Sequence, residues 1–123
     1  MKKADGILLG SPTYFWGMHP SMKSLVDRTG YLARGRLRAG ENCNALFRKV
    51  GAALAVDGYS GAPQTVQAMQ TLFMVTQMIV PGAAYWPIAK GAGPGDATRD
   101  ADGIRYVEDL GRQMAWLIKK LNA

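Results

Sequence analysis

The sequence predicts an α/β domain with a parallel sheet and helices on both of its faces. Short, continuous apolar runs, typical of strands covered on both sides, alternate with longer segments whose apolar residues recur at helical spacing. The order strand, helix, strand, helix, strand, helix implies right-handed crossovers between parallel strands. The 123 residues contain no internal repeat and no domain boundary, so we expect a single domain.

The first strand and the first helix are predicted in the N-terminal quarter of the chain. The run GILLG at residues 6–10 is apolar and bounded by glycines. Pro20 suits the first position of a helix, with His19 as its cap, and Gly30 is the expected stop. One face of this helix carries Met22, Leu25, Val26 and Thr29. Residues 33–48 are basic, polar and glycine-containing, which predicts a surface loop.

Two further strands and two further helices are predicted in the rest of the chain. KVGAALAVDG at residues 49–58 indicates a buried strand that ends in an Asp-Gly turn, and Pro63 opens the next helix. MIVPG at residues 78–82 predicts the third strand, and residues 83–99 are expected to form a long irregular loop. The last helix is expected from about residue 100 to residue 121. Its apolar stripe consists of Ile104, Val107, Leu110, Met114, Leu117, Ile118 and Leu121.

The composition disfavours several classes of protein. No apolar run approaches the roughly 20 residues that span a bilayer, and the first five residues do not read as a secretion signal. We therefore expect a cytoplasmic protein without a membrane partner. The single cysteine, Cys43, excludes an internal disulfide and supplies no metal-ligand cluster. The net charge of +6 fits a solvated basic surface or an anionic ligand, whereas the scatter of the basic residues disfavours nucleic acid.

Three loops are expected to meet at one edge of the sheet. Ligands of open parallel sheets bind outside the carboxyl ends of the strands. Residues 11–18, residues 57–61 and the loop after Val80 all leave those ends. The candidate cofactor-binding residues are Ser11, Pro12, Thr13, Tyr14, Phe15, Trp16, Gly17, Met18, Asp57, Gly58, Tyr59, Ser60 and Gly61.

The chemistry of the first two loops suits a flat heteroaromatic ligand. Successive amides of residues 13–17 stand beside aromatic rings, so that amides can bind the edge of a ligand while rings cover its face. Gly58 and Gly61 permit close approach of the second loop. The alternative is that Phe15 and Trp16 pack on the core or on a neighbouring subunit.

Two long segments carry a resemblance to a known family. ADGILLGSPTYFWGMHPSMKSLVDRTGYL resembles the central segment of flavodoxin-like NAD(P)H-dependent FMN reductases and quinone reductases, which the iron–sulfur flavoproteins share. KVGAALAVDGYSGAPQTVQAMQTLFMVTQMIVPG is similar to the family's fourth strand, flavin-facing glycine loop and following helix. DADGIRYVEDLGRQMAWLIKKL looks like the last helix, so the resemblance covers nearly the whole chain.

The resemblance implies an FMN-binding oxidoreductase. The isoalloxazine ring of FMN would rest on residues 12–18 and face residues 57–61. Hydride would pass from NAD(P)H to the flavin and then to a small acceptor such as a quinone or free flavin. This chemistry belongs to the cofactor, so no catalytic side chain is assigned. His19 could donate a proton, but a helix cap is its commoner role.

The chain also departs from the family pattern. A complete domain of this type has five strands in the order 2-1-3-4-5, and this chain begins at what would be the third. Residues 1–123 therefore suggest a single, N-terminally truncated flavodoxin-like domain of about three strands and three helices, without the phosphate loop and with weakened flavin binding. Cys43 alone cannot hold a cluster, so no Fe–S cofactor is expected.

Two classes of function remain open from the sequence. One is an FMN-dependent reductase, and the other is a non-catalytic, flavin-free assembly module or an inactive fragment. Without a neighbour, the first strand would be an apolar sheet edge that invites pairing with another chain. We expect a homodimer formed through that edge, through helices laid over it or through the aromatic loops. A separate N-terminal chain that completes the sheet is the other possibility.

Overall fold

The computed structural model describes Met1 and residues 3–123 and confirms the α/β class. Its elements are β1 (Gly6–Tyr14), β2 (Gly17–Met18), α1 (Pro20–Arg38), β3 (Val50–Asp57), α2 (Ala62–Val75), β4 (Ile88–Lys90), a 3-10 helix (Asp96–Arg99) and α3 (Ala101–Leu121). The expected last helix is confirmed almost to the residue. No helix among the described residues has the length and apolar character needed to cross a membrane.

The sheet has three parallel strands and one short antiparallel strand, in the order β2-β1-β3-β4. β1 and β3 pair in parallel, from Gly6 opposite Val50 to Pro12 opposite Val56, and β3 and β4 are also parallel. β2 folds back antiparallel on the end of β1 and forms a hairpin with it. The carboxyl ends of the three parallel strands therefore lie at one edge of the sheet, beside the hairpin.

Helices cover both faces of the sheet, as predicted. A Cβ added to Gly6 would lie 2.5 Å from the Cε of Met114 on α3, whereas one added to Gly51 would lie 2.7 Å from Cγ of Phe73 on α2. Gly51 is opposite Ile7 in the parallel register, so the two glycines point to opposite faces. The core on the α2 side also receives residues of β1, β3 and α1. Its buried members are Ile7, Leu9, Val26, Ala33, Leu46, Ala53, Ala55, Ala62, Val66, Met69, Leu72, Phe73 and Met78.

The predicted end of the first helix is wrong. α1 continues through Gly30 to Arg38, so the first part of the predicted surface loop at residues 33–48 is helical. Ala33 is buried in the core, which holds this second half of the helix against the domain. A Cβ on Gly30 would lie 3.3 Å from Cδ1 of Leu72, so this glycine serves close packing of α1 on α2 rather than helix termination.

The third strand is not where the sequence predicts it. Ile79 donates to Lys49 O and accepts from Gly51 N–H, which makes one isolated bridge to Val50. The next residue that would face β3 in this ladder is Pro81, which has no N–H to donate, so the pairing stops. The third parallel strand is β4, within the segment that was expected to be an irregular loop at residues 83–99.

The outer edge of β1 is open along most of its length. In the described part of the chain, β2 pairs only with Thr13 and Tyr14 on that side. Val50 N–H donates to Asp5 O, and bonding alternates along a parallel ladder, so Gly6, Leu8 and Gly10 direct their peptide groups outward. The Leu8 side chain, on the α3 face, is 53% exposed. The expected sheet edge is therefore present next to the hairpin.

Candidate functional site: an aromatic cleft at the carboxyl ends of the strands

The three loops predicted to converge do line one cleft, of about 430 Å³. The hairpin contributes Trp16, the loop after β3 contributes the segment 57–61, and the chain around β4 contributes the opposite wall. The lining residues are Trp16, Asp57, Tyr59, Ser60, Gly61, Pro63, Gln64, Tyr85, Trp86, Ile88 and Lys90. Four aromatic side chains thus surround a single opening at the edge where open parallel sheets bind ligands.

The hairpin holds two large aromatic residues in a strained turn. Phe15 and Trp16 have φ of 48° and 64°, the left-handed region that a two-residue type I′ turn requires at both central positions. Asn and Gly favour these positions, whereas a side chain such as Phe or Trp costs about 1 kcal/mol or more there. Phe15 is fully exposed, so its own burial does not offset this strain. Strain of this kind concentrates at functional sites.

The base of the hairpin is fixed by hydrogen bonds between β1 and the start of α1. The buried Ser11 hydroxyl accepts from His19 N–H at 2.9 Å and donates to Pro12 O. His19 Nδ1 accepts from Ser21 N–H at 3.1 Å, which makes His19 the side-chain cap of α1. Its ring also meets the Tyr14 ring edge-on, with centroids 5.7 Å apart. These contacts support a structural role for His19.

Thr13 carries a buried hydroxyl with no hydrogen-bond partner. Its Oγ1 is the one buried side-chain oxygen or nitrogen in the described structure that lacks a partner. Buried polar groups are normally paired, and an unpaired one costs roughly 1–3 kcal/mol. Because this oxygen is buried and Thr13 is not among the cleft lining residues, the unpaired hydroxyl is a local cost to stability at the base of the hairpin.

The second loop is held in place by the buried carboxylate of Asp57. Its side chain is 2% exposed, and Oδ1 accepts from Lys90 Nζ at 2.5 Å while Oδ2 accepts from Ala62 N–H at 2.9 Å. Lys90 Nζ also donates to Tyr59 O at 3.2 Å. The ion pair therefore joins the loop after β3 to the end of β4, which fixes the width of the cleft.

Gly61 lets the second loop touch the hairpin. It is the N-cap of α2, with a φ of 95°. A Cβ at this position would lie 2.9 Å from Cα, Cγ and Cδ1 of Trp16. Only glycine combines the left-handed backbone with this close approach. The contact sets Trp16 against the start of α2.

The third loop adds two aromatic rings that are not among the predicted site residues. Tyr85 and Trp86 have ring centroids 5.2 Å apart, and Tyr85 also meets Tyr106 of α3 at 5.0 Å. Ala84 N–H donates to the Asp109 carboxylate of α3 at 2.8 Å, which anchors the segment. Tyr85 and Trp86 are adjacent in the sequence, in a loop predicted at the same edge of the sheet. This pair resembles the aromatic run of the hairpin, and it could have marked both residues as members of the site.

Asp100 anchors the chain beyond β4. Its carboxylate accepts from Lys90 N–H at 2.7 Å and from Gly103 N–H at 3.1 Å, so it caps α3 and ties it to the cleft. The hydrogen bond from the Lys90 backbone, followed by that from Gly103, lowers the pKa of Asp100 below its ordinary value. This carboxylate therefore keeps its charge to a lower pH than an ordinary aspartate does.

The structure brings only part of the predicted residue set to the cleft wall. Trp16, Asp57, Tyr59, Ser60 and Gly61 line it. The remaining candidates form or support the hairpin and the loop around it; they are Ser11, Pro12, Thr13, Tyr14, Phe15, Gly17, Met18 and Gly58. Within the described residues, no three His, Cys, Asp or Glu side chains are grouped so that they could hold a metal ion.

An open parallel sheet with a ligand-sized cleft at its strand ends is the architecture of the doubly wound α/β proteins, and the flavodoxin-like proteins are one class of them. Solved structures share this fold. A flavodoxin, WrbA-like protein from Agrobacterium tumefaciens matches with a TM-score of 0.63 at 20% identity, over 91% of this chain and 69% of that one. The Trp repressor binding protein from Bacillus subtilis matches with a TM-score of 0.63 at 21% identity, over 92% and 68%. At these identities the likeness establishes the fold.

The sequence identifies the family within this fold. The sequence profile of the NADPH-dependent FMN reductases matches residues 1–93, so the chain belongs to that family. An iron-sulfur flavoprotein from Methanocaldococcus jannaschii is 37% identical over 126 residues, which cover 97% of this chain and 61% of the relative. An NAD(P)H dehydrogenase (quinone) from Paracoccus denitrificans is 34% identical over 66% of this chain and 36% of its own length. The chain thus spans less than two thirds of these relatives, and the resemblance found in the sequence is confirmed.

Proposed function

We propose that the chain binds FMN through its isoalloxazine ring in the cleft and serves in the transfer of hydride from NAD(P)H to a small acceptor, such as a quinone or free flavin. The observation that carries this proposal is the meeting of the hairpin, the 57–61 loop and the β4 segment around one opening of about 430 Å³. Family membership supports the choice of cofactor. We further propose that residues 1–123 form a single flavodoxin-like domain and act in the cytoplasm.

The residues of the cleft fit a planar ring with polar edges. Trp16 and Tyr59 would hold the two faces of the ring, because both side chains are exposed at the opening. The amides of residues 13–17 would bind its polar edge. The bound flavin supplies the hydride chemistry, so the side chains orient the ring, limit access of water and shape the acceptor pocket. Tyr85 and Trp86 form the outer wall of that pocket.

We propose that these residues alone bind FMN weakly. Among the side chains that line the cleft, Lys90 is the single cation, and the phosphate loop expected of the family is not found in residues 1–123. Hydrogen bonds to a charged phosphate contribute about 1.5–3 kcal/mol each. Two missing bonds of this strength correspond to a loss in affinity of about a hundredfold or more.

A comparison of FMN with riboflavin tests this proposal. Both flavins carry the isoalloxazine ring, and only FMN carries the phosphate, so binding through the ring predicts similar quenching of flavin fluorescence by the protein. The Kd values should agree within about fivefold, which is about 1 kcal/mol. Trp16→Ala should weaken both equally, and Trp116→Ala on α3, which is not among the cleft lining residues, serves as the control. Absence of quenching at about 1 mM flavin, an affinity of about −4 kcal/mol, would refute the proposal.

We also propose that the chain associates with a second copy along the outer edge of β1. The outward peptide groups of Gly6, Leu8 and Gly10 and the half-exposed Leu8 side chain support this assignment, because an open apolar edge is a template for strand pairing. If association occurs and flavin does not bind, the function is that of a flavin-free assembly module.

The mass in solution distinguishes the routes of association. Leu8→Lys should convert a dimer to a monomer, whereas Leu121→Lys at the end of α3 should not. Loss of the dimer in Trp16→Ala, with retention in Leu8→Lys, would assign association to the aromatic loops. A wild-type monomer at all concentrations would contradict the proposal.

A further inference from the structure

Lys90 places one positive charge at the mouth of the aromatic cleft. Its side chain is 52% exposed, and the residue belongs to the cleft lining with Tyr59, Tyr85 and Trp86. No other Lys or Arg is among the lining residues. An ammonium beside several aromatic rings is a recognition element that the hydride chemistry of a flavin does not itself require.

The hydrogen bonds of Lys90 fix its ammonium and leave part of it available. Nζ donates to Asp57 Oδ1 at 2.5 Å and to Tyr59 O at 3.2 Å. An ammonium has three N–H groups, so one remains for a further acceptor. The Asp57 carboxylate lies behind Nζ, with its side chain 2% exposed, while Lys90 is half exposed. Both residues belong to the cleft lining, but the ammonium is the exposed end of the ion pair and the carboxylate is its buried end.

We propose that Lys90 binds an anionic group, a carboxylate, sulfonate or phosphate, that is carried by a planar ligand of this cleft. The inference rests on the proposed function, since it takes the cleft to be the site where the electron acceptor and the nicotinamide donor are received. The anionic group belongs either to the acceptor or to the phosphates of the dinucleotide. In both cases Lys90 is a specificity-determining residue for the ligand rather than a participant in hydride transfer.

The expected effect is modest because the ammonium is half exposed and already paired. An ion pair at such a surface contributes up to about fivefold in affinity and weakens as salt is added. The repulsion from Asp57 acts over a longer distance than the attraction by Nζ, so the net interaction with an anion stays attractive. We therefore expect a preference of about threefold to fivefold for an anionic ligand over its neutral analogue.

The test compares naphthoquinone with naphthoquinone sulfonate as probes. Binding is measured by quenching of tryptophan fluorescence, without added flavin and again with FMN, and reduction is measured with NADH and NADPH. The ratio of the two quinone affinities is compared between the wild type and Lys90→Met, so that intrinsic differences between the quinones cancel. Lys119→Met, at an exposed position of α3, is the matched control.

In the wild type we expect the sulfonate to bind more tightly, with an advantage that falls as salt rises, and we expect Lys90→Met to remove it. If the quinone ratio is unchanged and KM for the dinucleotide rises about threefold or more in Lys90→Met, the anionic group belongs to the donor. If neither quantity differs from the wild type, the inference is overturned. Failure of the proposed function would give a different result from failure of this inference. In that case neither the wild type nor any variant would bind FMN or reduce the neutral quinone.

Loss of Lys90 also leaves the Asp57 carboxylate unpaired, so folding requires its own controls. Lys90→Arg retains the charge and should restore the preference for the sulfonate, which a purely structural role for the side chain would not predict. The double variant Asp57→Asn with Lys90→Met removes both charges and should behave like Lys90→Met. The salt dependence of the wild-type ratio needs no variant, and a ratio that does not change with salt would contradict the inference.

Discussion

The contact between Gly61 and the hairpin can be tested by adding a single methyl group. Gly61→Ala places a Cβ 2.9 Å from Cα, Cγ and Cδ1 of Trp16, closer than unstrained packing allows. One of those atoms is backbone, so the hairpin itself must shift. Gly61 also has a φ of 95°, which an alanine rarely adopts.

Two separate costs determine the expected loss of stability. The left-handed backbone costs an alanine roughly 1–2 kcal/mol, and forcing a methyl into a filled space costs about 1–3 kcal/mol. We expect the free energy of unfolding to fall by roughly 2–5 kcal/mol. Gly40→Ala is the matched control, because Gly40 has a φ of 83° and nothing within 4 Å of an added Cβ. It should lose only the backbone part, about 1–2 kcal/mol.

Urea unfolding followed by circular dichroism measures both variants under the same conditions. The change in unfolded-chain entropy from glycine to alanine is common to the two and cancels in their difference. That difference therefore reports the approach of Trp16 to the start of α2. If Gly61→Ala and Gly40→Ala lose the same stability, the close contact does not exist and the description of the cleft wall is wrong.

Three further outcomes are expected from the structure. Thr13→Val removes the unpaired buried hydroxyl, so the free energy of unfolding measured in urea should stay equal or rise by up to about 1 kcal/mol; a loss of stability would show that the hydroxyl has a hydrogen-bond partner in the fold. Phe15→Asn places a residue that tolerates positive φ at the exposed turn, and the unfolding free energy should rise by about 0.5–1 kcal/mol; a lower value would show that the Phe15 ring packs on the protein. Asp100 has a lowered pKa in the fold, so its contribution is complete above its ordinary pKa of 3.8 and is lost as the pH falls through the lower, folded value. Asp100→Asn should therefore be less stable than the wild type at neutral pH, with the two converging in acid-unfolding curves; a constant difference down to the lowest pH would contradict the assignment.

The sequence predicted the parts of the fold that depend on local pattern. The apolar run that opens β1, the alanine-rich β3 and the amphipathic α3 all lie where periodicity indicated. The prediction at Gly30 failed because a glycine inside a helix can serve packing against a neighbouring helix as well as termination. That distinction depends on Leu72, which is remote in sequence.

The third strand shows a different limit of sequence reasoning. MIVPG has the composition of a buried strand, yet Pro81 cannot extend the ladder that Ile79 begins. β4 comprises three residues, too few to display a period, and it is defined by its pairing with β3 rather than by its own propensity. Short strands of this kind are set by tertiary contacts.

The candidate site was predicted in its location and only partly in its members. Parallel topology alone brings the three loops to one edge, so their meeting follows from the order of elements. Lys90 was missed because its position depends on β4 and its role depends on the buried Asp57. The left-handed conformation of Phe15 and Trp16 was also missed, because their side chains give no sign of a type I′ turn.

Mapping the flavin-binding surface by NMR tests the central claim most directly. Riboflavin or FMN is titrated into uniformly labelled protein, and changes in amide chemical shift are assigned along the chain. We expect the largest changes in residues 12–18, residues 57–61 and residues 85–90, the three segments that contribute lining residues to the cleft. Changes confined to the groove between α1 and α2 around Gly30, or no changes at all, would contradict the assignment of this cleft as the flavin site.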